Sequence, residues 1–405
     1  MSPFTFRSRM LAATVLLACA GPAAAQNVFS SGSTGADGAL DLTTPGDTPI
    51  DLRTRPDGVF HYTTIDIGAG VRVRFIANAA NTPVVWLASG DVNISGQVEL
   101  EGASASGAAV PGNEAAGGPG GFRGGLGGRL FSVSGSYAGT PGQGPGGGLP
   151  GTASGQEGGG GGHATVGRTQ FSGVEDARGG QTYGNRLLQP LLGGSGGGGG
   201  GSTDNADGGN GGGGGGAILI ASSGAIHINS GANILARGGN GAFPAAGGSG
   251  GAIRLVANRV DGLGFLHASG AGGGGDGRIR IEAFIVQIDP SRTTPRYVSG
   301  PPLGLGDVAP RGTIRVASVA GQPVAVPPGG NTSAPDVVFT SAGPVTIGLQ
   351  TTNIPSGTPL RVRVTARGQV INGTSSPTDP AGNASATLTV PAGLGTIEAY
   401  AEYVP

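Results

Sequence analysis

Arginine is the residue type whose spacing in this chain could most readily do chemistry. Arg72 and Arg74 alternate with apolar residues, as do Arg278 and Arg280, and Arg254 stands in a related phrase. In a β-strand such alternate residues share one face, so a ladder of guanidinium groups could bind the carboxylates or phosphates of a polysaccharide. The net charge of -1 and the interleaved acids favour an ordinary soluble surface instead. These five arginines are our candidate ligand-binding residues.

A second cluster carries oxygen ligands. Asp204-Asn205-Ala206-Asp207 precedes a glycine-rich stretch, and carboxylate and amide oxygens are what Ca²⁺ prefers. The spacing matches neither the EF-hand loop nor the calcium-binding nonapeptide repeat, so a solvated turn is the alternative. Asp204, Asn205 and Asp207 are our candidate calcium ligands, and no other cofactor is expected.

No catalytic constellation stands out. The chain has four histidines and one cysteine, and no Ser/His/Asp or Cys/His arrangement is apparent. The 24 acidic residues are scattered, whereas carbohydrate-cleaving enzymes need carboxylates close together. All 23 basic residues are arginine, so no glycine run ends in the lysine of a phosphate loop. We therefore assign no catalytic residue and expect a protein that is not an enzyme.

The strands that must position these residues are short and repeated. The phrase Gly215-Gly216-Ala217-Ile218-Leu219-Ile220-Ala221 returns as Gly250-Gly251-Ala252-Ile253-Arg254-Leu255-Val256-Ala257. Each copy passes from glycine into an alternating strand that cannot bury its apolar face alone, so repetition implies stacking. With Ser-Gly corners and no helical periodicity, the pattern predicts an all-β, right-handed parallel β-helix with glycine-rich insertions. An antiparallel sandwich built from the same strands is the alternative.

Glycine takes 88 of 405 positions, roughly three times its usual share. Triplets such as Gly124-Gly125-Leu126-Gly127-Gly128 suit an extended helix with three residues per turn. Two interpretations stay open. The tracts are flexible linkers, or they are packed polyglycine helices with hydrogen bonds between backbone segments.

Composition divides the chain into regions. Residues 1–25 resemble a cleaved signal peptide, with a lipobox-like sequence at Cys19 as the competing interpretation. An N-terminal cap at 26–59 precedes the β-helix at 60–300, whose main insertion spans about 103–216. After Pro301-Pro302 glycine thins, and strands spaced by roughly ten residues predict an immunoglobulin-like β-sandwich over 301–405.

The repeated strands, Ser-Gly corners and glycine insertions resemble the glycine-rich β-solenoid proteins that Gram-negative bacteria export. Autotransporter passengers and filamentous haemagglutinins share that plan. The glycine triplets are also similar to the polyglycine bundles of phage tip adhesins and some antifreeze proteins. The resemblance implies surface recognition or a scaffold, and it assigns no individual functional residue.

We therefore expect an exported, non-enzymatic scaffold or adhesion protein, secreted or held on the outer cell surface. It would bind an extracellular polysaccharide or another surface protein through a sheet face or the glycine-rich flank. A carbohydrate-active lyase or hydrolase and an ice- or crystal-binding protein are the alternatives. The small net charge gives no reason to expect a nucleic-acid partner, and the mature sequence has no stretch apolar enough to span a membrane.

Overall fold

The structure is a computed structural model that describes residues 28–107, 113–169, 178–305, 312–326, 335–339, 343–366, 369–393 and 395–401. The expected signal peptide and Cys19 lie outside these residues. The described chain is nearly all strand and extended segment. Its helices are single turns, α1 (Phe131–Ser134) and the 3-10 turns Leu52–Thr54 and Pro290–Arg292.

Most strands of the first three hundred residues pair in parallel. The largest sheet has ten strands, eight of which follow the order β1-β4-β7-β10-β12-β9-β6-β3, with β14 added beside β12 and β16 beside β14. Its strands are β1 (Leu40–Leu42), β3 (Val59–Tyr62), β4 (Ile65–Ile67), β6 (Val84–Ala88), β7 (Val92–Ile94), β9 (Ala217–Ser222), β10 (Ala225–Ile228), β12 (Ala252–Gly262), β14 (Arg278–Ile288) and β16 (Val298–Gly300).

A second parallel sheet has six strands in the order β15-β13-β11-β8-β5-β2. Its strands are β2 (Gly46–Asp51), β5 (Val71–Ile76), β8 (Gln97–Glu99), β11 (Asn233–Leu235), β13 (Phe265–His267) and β15 (Thr293–Thr294). The alternating apolar residues of both sheets meet in one core, which includes Trp86, Ile94, Val98 and Ile234. The period of two thus separates a buried face from a polar one, as the sequence pattern predicts.

The predicted fold class, a right-handed parallel β-helix with an immunoglobulin-like sandwich behind it, is wrong. A β-helix would break each turn into separate short strands at its corners. β12 and β14 instead run for 11 residues each without a break, and they join the strands on both sides into one sheet that nearly closes like a barrel. The earlier strands break at Ser89-Gly90 and Ser223-Gly224. Between the pairs Ala221↔Val256 and Ala225↔Arg259, the three residues Ser222-Ser223-Gly224 stand opposite only Ala257-Asn258, which lack the glycine that a tight corner needs.

The outer side of the β3–β6–β9–β12 part of the large sheet is also covered. Val85, Leu87 and Leu219 form a second apolar cluster there, against which Leu188 and Leu191 pack from a loop. Every residue of β6 and β9 is buried in consequence. This double burial explains why these strands read as continuous apolar runs in the sequence.

An N-terminal segment lies across several strands of the large sheet. The Ser31 hydroxyl donates to the carbonyl oxygen of Ala88 at 2.6 Å, and the backbone N–H of Phe29 donates to the side chain of Asn258 at 2.8 Å. The Ser33 hydroxyl donates to the carbonyl oxygen of Tyr62 at 2.7 Å. One short segment therefore ties β12, β6 and β3 together.

The last hundred residues form two antiparallel sheets that share one apolar core. The four-stranded sheet has the order β18-β17-β19-β22 and the three-stranded sheet the order β21-β20-β23. These strands are β17 (Thr313–Val319), β18 (Gln322–Pro323), β19 (Gly343–Thr352), β20 (Pro359–Ala366), β21 (Gln369–Pro377), β22 (Asn383–Val390) and β23 (Gly395–Tyr400). Arg363 and Glu398 form an ion pair, and both bond to the backbone of Gly144 in the glycine-rich region.

Candidate functional site

The candidate arginines do not lie on one surface. Arg72 and Arg74, on β5 of the six-stranded sheet, are about half exposed, and both pair with Asp47 and with Glu99. The N···O distances to Glu99 are 2.9 and 3.0 Å. These two guanidinium groups are thus engaged by acids of the same sheet face. Their role in ligand binding stays a prediction.

The other three arginines lie on the large sheet, where two are buried and one is partly buried. Arg254 has no exposed side-chain surface and pairs with the equally buried Glu282 at 3.0 Å. Arg280 stands beside Arg254 in register and pairs with the same carboxylate at 2.7 Å. Arg278 is partly buried, which lowers the pKa of its guanidinium, and donates to the carbonyl oxygen of Tyr183 at 3.0 Å. Alternation within a strand carries no sign of this burial.

The candidate calcium ligands lie together in one loop. Asp204 accepts a hydrogen bond from the Tyr137 hydroxyl at 2.8 Å, which raises the pKa of that phenol. Asp207 accepts from the backbone N–H of Leu130 at 2.5 Å, and the N–H of Asn205 donates to the Thr203 hydroxyl. Within the described part of the chain, no group of three or more His, Cys, Asp or Glu could hold a metal ion. The contacts of these side chains organise the loop.

One histidine is oriented as a catalytic base would be. His227 Nδ1 lies 2.6 Å from the Asp261 carboxylate, which also pairs with Arg259. Acyl transfer would further need a hydroxyl or thiol beside the other ring nitrogen. The residue in register with His227 on the opposite side is Asn93, which cannot serve as that nucleophile. His227 and Asp261 therefore form an ordinary polar pair on one face of the large sheet.

The glycine tracts form an ordered bundle of extended segments. We define the glycine bundle as residues 117–128, 137–162, 193–216 and 238–251. The backbone N–H groups of Gly194, Gly197 and Gly200 all donate to segment 209–215, at 2.7, 2.9 and 2.9 Å. A repeat of three residues is the period of an extended helix with three residues per turn. Of the two interpretations of the glycine tracts, the structure shows the packed one.

Segment 194–202 lies at the centre of this bundle. Apart from that of Ser195, which donates to the Ser249 hydroxyl, its N–H groups donate in rotation to three neighbouring segments, 209–215, 156–159 and 137–143. Its carbonyl oxygens accept from three others, 122–128, 148–155 and 246–249. One extended helix is therefore surrounded by six neighbours, and each of its faces bonds to a different one.

This packing explains why the residue must be glycine. A Cβ atom added at Gly197, Gly198 or Gly199 would overlap carbonyl groups of adjacent segments. The same holds at most glycines of the bundle. Only a residue without a side chain lets the backbones approach closely enough to bond, so the composition is a packing requirement.

Four loops close the end of the bundle away from the sheets, and we call them the tip. They are residues 129–137, 152–156, 203–207 and 242–245. The other ends of the segments at 208–216 and 246–251 continue directly into β9 and β12. At the tip, Phe131 stacks on Tyr137 with ring centroids 4.4 Å apart. Phe131 is 37% exposed and Phe243 is 72% exposed, so the tip carries exposed aromatic rings, and the exposed Asp204 lies beside Tyr137.

No family model matches this chain, and the searches of curated proteins and of solved structures also find no match. Among the described residues, no helix is both long and apolar enough to span a membrane. The geometry of the tip and the sheets is therefore the basis for inferring function. Of the tip residues, the sequence indicated only the Asp204–Asp207 loop, because the aromatic residues are far apart along the chain.

Proposed function

We propose that this protein is an exported, non-enzymatic adhesion or scaffold protein that binds through the tip of its glycine bundle. The observation that carries the proposal is the six-neighbour packing around segment 194–202, which ends in loops with exposed aromatic side chains. The partner is an extracellular polysaccharide or another surface protein. Residues 1–25, as a signal peptide, would direct export.

A rigid support is what makes short loops useful for binding. Loops that must order on contact lose conformational entropy, which weakens the complex. Here backbone hydrogen bonds join one loop to another and one loop to the bundle. The N–H of Phe131 donates to the carbonyl oxygen of Thr203, and the N–H of Gly155 donates to that of Ser202. The tip is therefore organised before any partner arrives.

The chemistry of the tip suits a contact surface. Aromatic rings supply a large apolar area with few rotatable bonds, and the Tyr137 hydroxyl and Asp204 carboxylate supply polar contacts beside them. Sugars offer both apolar ring faces and hydroxyl groups, and protein surfaces offer similar mixtures. The tip can thus recognise either class without a catalytic group.

A binding experiment with matched variants tests the proposal. Labelled protein is applied to an array of bacterial polysaccharides and to immobilised bacterial cells. Tyr137→Ala and Phe243→Ala should each weaken binding at least tenfold. Phe284→Ala, which removes an exposed aromatic ring from β14, should leave binding unchanged. Equal binding by all variants, or turnover of a polysaccharide, would contradict the proposal.

A further inference from the structure

An open cleft lies at the β3 edge of the large sheet, built from residues that the tip does not use. It has a volume of about 440 Å³ and is lined by Asp37, Thr54, Arg55, Asp57 and His61, together with apolar groups of Ala36, Pro56 and Val59. Small-molecule sites usually fall between roughly 300 and 1,000 Å³. The cleft is therefore large enough for one small ligand.

The rim of the cleft is held in place from behind. The Asn78 amide donates to the carbonyl oxygens of Arg55 and Pro56, at 2.9 and 3.3 Å, and to the Thr82 hydroxyl. The Thr54 hydroxyl donates to the carbonyl oxygen of Asp51 at 2.9 Å. Gly58 adopts φ of +71°, in the left-handed region, and turns the rim back into β3. A rim fixed in this way holds its polar groups ready for a ligand.

Asp37 bonds to the open edge of β3 and neutralises the charge of Arg55. Its backbone N–H donates to the carbonyl oxygen of His61, and its carboxylate accepts the N–H of the same residue at 2.7 Å. The other carboxylate oxygen pairs with Arg55, whose guanidinium also lies over the Phe60 ring. The Arg55 charge is therefore matched by Asp37, and the acid left over in the cleft is Asp57.

Two side chains offer complementary hydrogen bonds to a ligand. His61 Nδ1 accepts the backbone N–H of Thr34 at 3.2 Å, which assigns the proton of the neutral ring to Nε2. Asp57 uses one carboxylate oxygen to accept from Val59 at 3.1 Å and retains further acceptor capacity. The cleft thus presents an N–H donor and a carboxylate acceptor beside the apolar surfaces of Ala36, Pro56 and Val59.

From this arrangement we propose that the cleft binds one unit of a neutral saccharide. A sugar hydroxyl both donates and accepts, which matches His61 Nε2–H and the Asp57 carboxylate. The C–H face of the sugar ring packs on the exposed Ala36 and Pro56. An anionic ligand would meet the uncompensated charge of Asp57, and a purely apolar one would leave the polar groups without partners. The site is separate from the tip and does not depend on the proposed function.

Titration calorimetry with defined sugars tests this site. The probes are glucose, galactose, mannose, xylose, N-acetylglucosamine and their disaccharides, with inorganic phosphate as the anionic comparison. At least one neutral sugar should bind saturably, with its Kd raised at least tenfold in Asp57→Asn. That variant keeps an oxygen for the Val59 N–H, so the rim should stay folded, which near-ultraviolet circular dichroism checks.

Two controls separate the cleft from other surfaces. Asp66→Asn removes an exposed acid from β4 and should leave the Kd unchanged. Tyr137→Ala is measured in parallel to detect any sugar binding at the tip. The proposal is overturned if no neutral sugar binds at millimolar concentration, if phosphate binds in their place, or if Asp57→Asn binds as well as the native chain. Loss of binding in Tyr137→Ala with unchanged binding in Asp57→Asn would assign the sugar to the tip and also overturn it.

Discussion

Gly197 donates its backbone N–H to the carbonyl oxygen of Gly212 at 2.9 Å, although the two residues belong to separate antiparallel segments. Gly197 in turn accepts from Gly125 at 2.8 Å. The relationship repeats every three residues along the same segments. A composition that usually accompanies flexible linkers here gives a closely packed layer of backbone.

The energetics of the bundle depend on this density of bonding. Ordering a glycine loses more conformational entropy than ordering any other residue, about 1–2 kcal/mol for the backbone alone. Each backbone hydrogen bond returns about 0.5–1.5 kcal/mol net. The close contact between segments adds dispersion attraction along their whole length. Both contributions vanish if a side chain forces the segments apart.

A single methyl group at the centre of the bundle should therefore be costly. Gly197→Ala places a Cβ against the carbonyl groups of Ala246 and Gly247. We expect a loss of about 1–3 kcal/mol in the free energy of unfolding, measured by urea denaturation. Gly304→Ala is the matched control, because a Cβ there meets no atom within 4 Å. If the two variants were equally stable, the packed bundle would be refuted.

The buried charges on the large sheet predict a second effect. Glu282→Gln leaves Arg254 and Arg280 without the carboxylate that both contact. Removing one partner of a buried ion pair typically costs about 3–5 kcal/mol. Glu101→Gln breaks the exposed pair with Arg237 and should cost at most about 1 kcal/mol. Thermal unfolding of the two variants measures the difference, and equal melting temperatures would show that Glu282 is not buried as described.

His163 should make stability depend on pH. The ring is fully buried against Tyr183, and burial lowers its pKa from 6.5 to about 4. The unfolded chain then binds a proton to this histidine more readily than the folded chain does. The contribution of the neutral His163 ring to the free energy of unfolding is therefore complete above pH 6.5 and is lost as pH falls towards 4. The shift corresponds to about 3 kcal/mol at most.

The measurement is the urea midpoint as a function of pH. His163→Phe should be less stable near neutrality, because it loses the 2.9 Å contact of Nδ1 with the carbonyl oxygen of Gly250. Its midpoint should nevertheless fall less steeply on acidification than that of the native chain. An identical slope in both proteins would contradict the burial of His163.

The N-terminal segment should stabilise the strands that it crosses. Ser31→Ala removes the buried hydroxyl that donates to Ala88 and should cost about 1 kcal/mol. It should also speed proteolytic cleavage near residue 30, which mass spectrometry follows. Ser230→Ala, at an exposed turn, serves as the control. Cleavage at the native rate in Ser31→Ala would show that this contact does not hold the segment.

For strands with one solvent-exposed face, the sequence correctly predicts both the strand and which of its side chains are buried. Ile65, Ile67, Val71 and Val73 are buried, as their alternation indicates. The predicted fold class is wrong because β12 runs unbroken where the earlier strands are interrupted by a turn. The sequences differ there only at Ala257-Asn258, and the repeated motif before it is almost the same in both. Alternation places Arg254 and Arg280 on an open face, and it carries no information about chain segments that contact that face from elsewhere, such as Leu303, whose N–H donates to the Glu282 carboxylate at 3.0 Å.

The tip was only partly visible in the sequence. The Asp204–Asp207 loop stands out because acids interrupt glycine. Tyr137 is brought to Asp204 only by the packing of two glycine segments, and the order of such segments cannot be read from nearly identical residues. The cleft residues gave no motif, since Asp37 and His61 meet across a strand edge.

Amide hydrogen exchange of segment 194–202, followed by mass spectrometry at neutral pH, is the sharpest test of whether the glycine segments form a packed, hydrogen-bonded bundle. If the glycine segments are bonded to six neighbours, these amides should exchange as slowly as those of the buried strand Ala217–Ser222. Exchange at the rate of an unstructured peptide, while Ala217–Ser222 stays protected, would contradict the packed bundle and the rigid tip that it supports.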